Sequence, residues 1–386
     1  VGDEAILECA VQIFREVFPG AGITVCTNDP ERTAARLGVE ACRLLGFNGD
    51  VSQEETRSVI GAHDCFVWCG ATGLSDYPHV TLGLMGIAQS LGKKTVVWGV
   101  GMNDELNPAF HRVQRSRLRR LLGIATLGMV DAAGIEERRR ESKTRRAIAE
   151  CLGRADLVIL RDTQSRGEVL RSGVTCEVHV GADSAILLKP ESLESMPLAP
   201  GILSLLQDDR PKIGLCVSAQ AAIMKERELA LCLDEMASST GAHLVAIPMN
   251  PLTDSALMAR LAGRMVHREH ITVLTGEYQP AEILAVASRM SVVVSSRLHL
   301  LILSSIVGVP IVGIARGSKV DNFLAHFGLV PVGSVDDCDF GALQREVSRL
   351  LMSPQAYRER TTVVQSEGMA RLASAKALLA SALSGA

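Results

Sequence analysis

Aromatic residues are scarce in this chain of 386 residues: two Trp, three Tyr and eight Phe, 3% of the whole. So few rings argue against a nucleic-acid stacking platform and against an aromatic-lined sugar-binding module. An excess of one charge is also lacking, with 40 Lys and Arg against 43 Asp and Glu. The average therefore gives no pull toward nucleic acid or a membrane surface. The most apolar stretch, Leu298 to Ala315, is interrupted by His299, two Ser and Pro310, and reads as a helix followed by a strand rather than a membrane span.

Paired cysteines are missing too. The ten Cys form no CxxC, and most lie in apolar runs such as Gly214-Leu215-Cys216-Val217. That usage predicts free, buried thiols in a reducing cytoplasm. Cys65 and Cys69 fall on a strand pattern, and His267 with His270 have no further cluster beside them, so no metal site is expected. Trp98-Gly99-Val100-Gly101 has no third Gly at dinucleotide spacing, and no GxxxxGK[ST] occurs. NAD binding and P-loop NTP hydrolysis are disfavoured.

What is abundant is Ala, Val, Leu and Ile, with 34 Gly, a mix suited to alternating buried strands and helices. In the first half the strand candidates are 23–27, 65–69, 95–100, 157–160 and 177–180. The helical patterns between them are 5–18, 81–91, 109–122 and 145–151. In the second half strands are expected at 212–217, 243–247, 271–274, 291–295 and 310–314, with helices near 224–239, 254–266, 280–288, 297–307 and 319–327. Residues 189–211 hold four Pro and read as a linker.

This predicts an α/β chain with two doubly wound, Rossmann-like domains facing across a cleft. The expected division is an N-terminal domain over 1–195, a C-terminal domain over 205–353 and a helical tail over 354–386. The tail is expected to cross back onto the first domain. Because Val1 to Leu7 opens inside a motif, residues are expected to precede it.

One stretch departs from the charge average. Arg112 to Arg146 holds eleven Arg and Lys against four Asp and Glu. It reads either as a solvated helix pair with an exposed loop near Gly134–Ser142, or as a docking surface for a lipid-diphosphate-linked sugar or a membrane face.

Ligands of doubly wound sheets collect beyond the carboxyl ends of the strands, so residues just after strands carry the chemistry. Ser295-Ser296-Arg297-Leu298-His299 follows a strand and opens a helix. Its hydroxyls and backbone N–H groups suit an anion. Arg297 adds a fork-shaped cation, and His299 a group able to move protons near neutral pH. After the next strand, Ser318 is expected to cap a helix, while Arg316 and Lys319 add positive charge to the same rim. Ser218, Asn250, Thr275 and Gly276 follow neighbouring strands, and Cys69-Gly70-Ala71-Thr72-Gly73-Leu74 forms a small-residue loop after another.

In order along the chain, these residues resemble the polysaccharide pyruvyl transferase family, whose members have a glycosyltransferase-B-like pair of α/β domains. Gly2-Asp3-Glu4-Ala5-Ile6-Leu7 is similar to the family's opening Gly-Asp-Glu-Ala-x-Leu. Cys69–Leu74 lies where the family has Gly-Gly-Gly-x-Leu. Arg161-Asp162-x-x-Ser165, Gly173-Val174 and Ala182-Asp183 resemble its mid-chain series, followed by Pro248-Met249 with Asp254. Ser296-Arg297-Leu298-His299, continuing to Gly308-Val309-Pro310 and Lys319-x-x-x-Phe323, is the closest match.

The resemblance implies transfer of a pyruvyl group from phosphoenolpyruvate to a sugar, free or lipid-linked, forming a ketal and releasing phosphate. No cofactor, metal or nucleic acid is implied, and the setting would be the cytoplasm or the inner face of the membrane. Catalysis would fall to His299 and Arg297. Substrate binding would fall to Ser296, Lys319, Arg316, Ser218, Asn250, Thr275, Gly276, Asp3, Glu4, Thr72 and Gly73. A nucleotide-sugar glycosyltransferase on the same scaffold, or a non-catalytic anion binder, is the alternative. The chain departs from the family at Cys69-Gly70-Ala71, at Ala315-Arg316 where an aromatic is usual, and at Val217-Ser218-Ala219 where many members have Ser-Leu-Arg. A missing Arg costs a trianion site on the order of a few kcal/mol, and Arg316 is the candidate replacement.

Overall fold

The computed structural model describes residues 1–47, 49–110, 112–113, 131–218 and 225–384. Most of the expected helix over 109–122, the middle of the Arg112–Arg146 stretch, Ala219 and Met224 lie outside the described residues.

Continuous apolar runs build the central strands. β1 (Thr24–Thr27) pairs in parallel with β2 (Glu40–Arg43). β3 (Cys65–Cys69), β4 (Lys94–Val100), β5 (Leu157–Leu160) and β6 (His179–Val180) form a four-stranded parallel sheet in that order. β7 (Lys212–Cys216), β8 (His243–Ala246), β9 (Ile271–Val273), β10 (Val292–Ser295) and β11 (Ile311–Gly313) form a five-stranded parallel sheet ordered β11-β10-β7-β8-β9. Every residue of β7, β8 and β10 is buried, as a parallel sheet covered on both faces requires. That strand order reverses direction between β7 and β10, the crevice where doubly wound sheets bind ligands.

Two compact units result, and neither is continuous in sequence. One comprises Val1–Cys9 with Ser184–Ala370, the other Ala10–Asp183 with Arg371–Ala386. The expected division at 195/205 moves to 183/184. The first turn of helix Gly2–Val17 packs with the later unit, and the tail is one helix, Gln355–Leu383, shared between the units. The expected linker is itself ordered, holding a 3₁₀ turn at Leu193–Ser195 and helix Pro200–Gln207. Gly134–Ser142, expected as a loop, belongs to helix Ala132–Leu152, on which Arg138, Arg139 and Arg140 are exposed.

Gly99 takes φ +62° where the β4–β5 register shifts between Trp98 and Val100. This glycine therefore serves a bulge, which agrees with the missing dinucleotide fingerprint. All ten cysteines are free, and burial raises Cys65, on β3, to about 12.

The last long helix also steadies the site helix Leu298–Ile306. Gln365 Nε2 donates to the carbonyls of Ser305 at 2.6 Å and Ile306 at 2.8 Å, satisfying carbonyls that a helix end leaves orphaned. Gln365→Ala is expected to lower stability by about 1–3 kcal/mol, read from the midpoint of urea unfolding; an unchanged midpoint would show that water replaces these bonds without cost.

Candidate functional site

The switch point between β7 and β10 is closed by two serines. Ser295 is paired with Cys216 in the register, and the next residue along, Ser296, donates its backbone N–H to the Cys216 carbonyl at 3.0 Å. The Ser296 hydroxyl then accepts the backbone N–H of Ser218 at 2.8 Å. Ser295 Oγ accepts the N–H of Arg297 at 2.9 Å and donates to its carbonyl at 3.1 Å. The chain therefore leaves β10 in a fixed direction, and Arg297 becomes the N-cap of helix Leu298–Ile306, with no side chain capping it. Both serine hydroxyls lock the turn that precedes this helix.

Arg297 is held from across the sheet. Asp254 lies 43 residues away on helix Pro251–Arg264 and is fully buried. Its carboxylate takes Arg297 Nε at 3.2 Å and Nη2 at 2.6 Å, a two-point pairing that matches the guanidinium fork. Asp254 also accepts the backbone N–H of Asn250 at 3.0 Å and the Thr253 hydroxyl at 3.1 Å, while Thr253 Oγ1 accepts Arg297 Nη2 at 3.1 Å. A buried charge persists only when paired and hydrogen-bonded in this way. Burial, then the neighbouring Asp254 charge, push the Cys216 thiol well above its ordinary range, so it stays protonated beside the pair.

The consequence is electrostatic. Arg297 and Asp254 together carry no net charge, and among the described residues Nη1 of Arg297 has no protein partner. Arg316 is exposed after β11. Partial desolvation, then repulsion from Arg297, lower its pKa. Lys319 occupies the first turn of helix Ser318–Ala325, whose cap is Gly317 at φ +108° rather than Ser318.

His299, two residues past Arg297, is half-buried. A Cβ on Gly2 would sit 2.2 Å from its Cγ and Nδ1, so the imidazole lies against a backbone that only glycine leaves open. The Gly2-Asp3-Glu4 motif and the Ser-Arg-Leu-His motif therefore meet in one unit. Asp3 is exposed on that first helical turn.

Other expected residues have different places. Asn250 caps helix Pro251–Arg264, accepting the N–H of Leu252 at 3.2 Å. Thr275 and Gly276 are exposed beyond β9 at the sheet edge, where Tyr278 donates its hydroxyl to the Thr275 carbonyl at 3.2 Å. Asp254 was legible in the sequence as an edge residue; its bond to Arg297 was not.

In the other unit, Thr72 and Gly73 are buried, with the Thr72 hydroxyl bonded to Asp76. A Cβ on Gly73 would lie 2.5 Å from the Trp68 ring. Asn103 Nδ2 donates to Asp76 Oδ1 at 3.1 Å, and Asn107 Nδ2 to the Asp76 carbonyl at 3.1 Å. These bonds stitch the loop after β3 to the loop after β4. Near them the rings of Phe47, after β2, Tyr77 and Phe110 gather, with centroids 5.3 Å and 6.3 Å apart, and His79 stands 4.5 Å from Phe110. The three rings are 39%, 46% and 44% exposed. In the same unit, Arg161 pairs with Asp162 at 3.3 Å and with Asp183 at 3.6 Å. Burial raises the Asp162 carboxyl, but the Arg161 charge and bonds from Ser165 outweigh it and hold the group below its ordinary value.

Comparison with known proteins now decides the family. The model of the polysaccharide pyruvyl transferase family matches residues 1–318. The chain belongs to that family. Its members are transferases, and both motif-bearing strand ends fall inside the matched region.

No curated protein sequence matches the chain. Among solved structures, a putative UDP-N-acetylglucosamine 2-epimerase from Listeria monocytogenes is 12% identical with a TM-score of 0.62, covering 94% of this chain and 88% of its own. The UDP-GlcNAc 2-epimerase of Neisseria meningitidis, bound to UDP-GlcNAc, is 12% identical with a TM-score of 0.62 and covers 99% and 97%. Anabaena HepE in complex with UDP is 12% identical with a TM-score of 0.59 and covers 99% and 96%. At these identities the likeness shows the fold, a glycosyltransferase-B-like arrangement of Rossmann-like units.

Asp254→Ala is expected to cost about 3–5 kcal/mol, because it strands the Arg297 charge half-buried. Chemical denaturation reads this directly; a loss under about 1 kcal/mol would mean that water solvates the guanidinium fully.

Proposed function

We propose that the protein transfers a pyruvyl group from phosphoenolpyruvate to two hydroxyls of a sugar, releasing phosphate and leaving a ketal. The observation that carries this reading is the meeting of Gly2, His299, Arg297 and Asp254 in one unit of a chain that belongs to the pyruvyl transferase family. Phosphoenolpyruvate is small and strongly anionic, and has no base for an aromatic shelf to stack. Arg316, Lys319, Nη1 of Arg297 and the uncapped start of helix Leu298–Ile306 supply what its carboxylate and phosphate need.

His299 is assigned proton transfer. Protonating the methylene carbon of the enol leaves an electron-poor carbon, which one sugar hydroxyl attacks. Phosphate then departs with its bonding electron pair, and the second hydroxyl closes the ketal; each hydroxyl proton is released to a base. An imidazole can both give and take a proton, as the two halves of this reaction require. Arg297 is held rigid by Asp254, so its remaining N–H groups are aimed before the donor arrives. No organic cofactor or metal enters this scheme.

The sugar acceptor is assigned to the unit containing Phe47, Tyr77 and Phe110. Exposed rings offer a face to the C–H side of a pyranose, and His79 and Asp76 supply polar neighbours. A lipid-linked acceptor is consistent with the exposed Arg138–Arg140, whose charge would favour a diphosphate or an anionic membrane surface; the reaction is placed in the cytoplasm, at the inner membrane face for such acceptors.

His299→Ala is expected to abolish acceptor-dependent phosphate release. Gly2→Ala should lower kcat by about 10- to 100-fold through ring displacement, with an unchanged melting temperature. Full activity in His299→Ala would remove its assigned role, and a melting shift with UDP- or GDP-sugars but none with phosphoenolpyruvate would favour a glycosyltransferase instead. Tyr77→Ala should raise the acceptor KM by about 2- to 12-fold, the range of one lost ring contact, while the KM for phosphoenolpyruvate stays constant. Equal changes in both constants would move the rings out of acceptor recognition.

A further inference from the structure

The five-stranded sheet has a second cluster at its opposite end. The 3₁₀ turn Arg268–His270 runs directly into β9, so it lies at the amino end of a strand whose carboxyl end faces the switch-point edge. Three side chains converge there. The Nδ1 of His267 is 3.3 Å from Glu269 Oε1, and the Nε2 of His270 is 3.8 Å from the same oxygen. All three ligand atoms lie within 4.8 Å of one another.

We propose that His267, Glu269 and His270 form a binding site for a divalent first-row transition ion of the Zn²⁺ class. The spacing is the first reason. Bonds of about 2.1 Å to imidazole nitrogen and carboxylate oxygen place neighbouring tetrahedral ligands about 3.4 Å apart. One edge of the cluster already has that length and the second needs only a small closure. The donor set is the second reason: two imidazoles and a carboxylate suit Zn²⁺ or its neighbours and are poor ligands for Ca²⁺ or Mg²⁺.

The third reason is that the turn is built in advance. Buried Asp234, on helix Glu226–Thr240, accepts the backbone N–H of Val266 at 2.7 Å and of His267 at 2.9 Å. The His270 N–H closes the turn onto the His267 carbonyl at 3.0 Å, and Met265, just before it, is buried in the core. Backbone order is thus supplied by the fold, so binding the ion costs mainly the freedom of three side chains. Those side chains are 51%, 68% and 41% exposed, which leaves coordination positions open to water or to a ligand from another molecule. The site is separate from the Ser296–His299 chemistry, because the two occupy opposite ends of parallel strands. It also revises the expectation drawn from His267 and His270 alone, since Glu269 supplies the missing third ligand.

The test uses the full chain, Zn²⁺ titrated against a chromophoric chelator, and Co²⁺ as a spectroscopic probe. One ion per chain is expected, with visible Co²⁺ bands and no thiolate charge-transfer band. His267→Ala and His270→Ala should each weaken binding by at least about 10-fold and Glu269→Gln by less, with unchanged melting temperatures in the absence of metal. Phosphate release from phosphoenolpyruvate should be untouched by all three. Binding that persists in the His267→Ala/His270→Ala double variant, a thiolate band, or no saturable binding in the parent chain would each overturn the proposal.

Discussion

The arrangement of the later unit depends on one ion pair. Arg297 leaves the end of β10 and Asp254 leaves the end of β8, with β7 between them in the sheet. A carboxylate with no exposed surface could not keep its charge without a partner, and this one is met by four hydrogen bonds from Arg297, Asn250 and Thr253. The pair therefore fixes where the loop after β8 stands relative to the helix after β10.

The departure from the family pattern at Val217-Ser218-Ala219 falls at the same switch point. The Ser218 backbone bonds to Ser296, which closes the switch point without needing an arginine from β7. Arg316 comes from the neighbouring β11, and desolvation, then repulsion from Arg297, lower its pKa.

Scarcity of aromatics shaped the first expectation, and distribution altered it. Burial claims Trp98, yet three other rings are kept in the open near the stitched loops. An average over 386 residues reports quantity; it is silent about clustering. Charge behaves alike: a chain near neutrality holds an exposed run at Arg138–Arg140 on one helix.

Strand positions were readable because burial on both faces demands uninterrupted Val, Ile and Leu, and each predicted strand lies within a residue or two of the observed one. β2 escaped, since Glu40–Arg43 is half-exposed and mixes charge with small residues. The Ser-Arg-Leu-His motif was readable because its chemistry is contiguous. Its partners were not: Asp254 lies 43 residues away, and Gly2 reaches His299 from the other end of the chain. Local periodicity records which face of an element is buried, and so the sequence alone determined the alternation of strands and helices, the family motifs and their order. Which motif touches which, where each unit divides, and that Glu269 joins two histidines were decided only by tertiary structure, because those contacts follow from the winding of the sheets and leave no periodic trace in the chain.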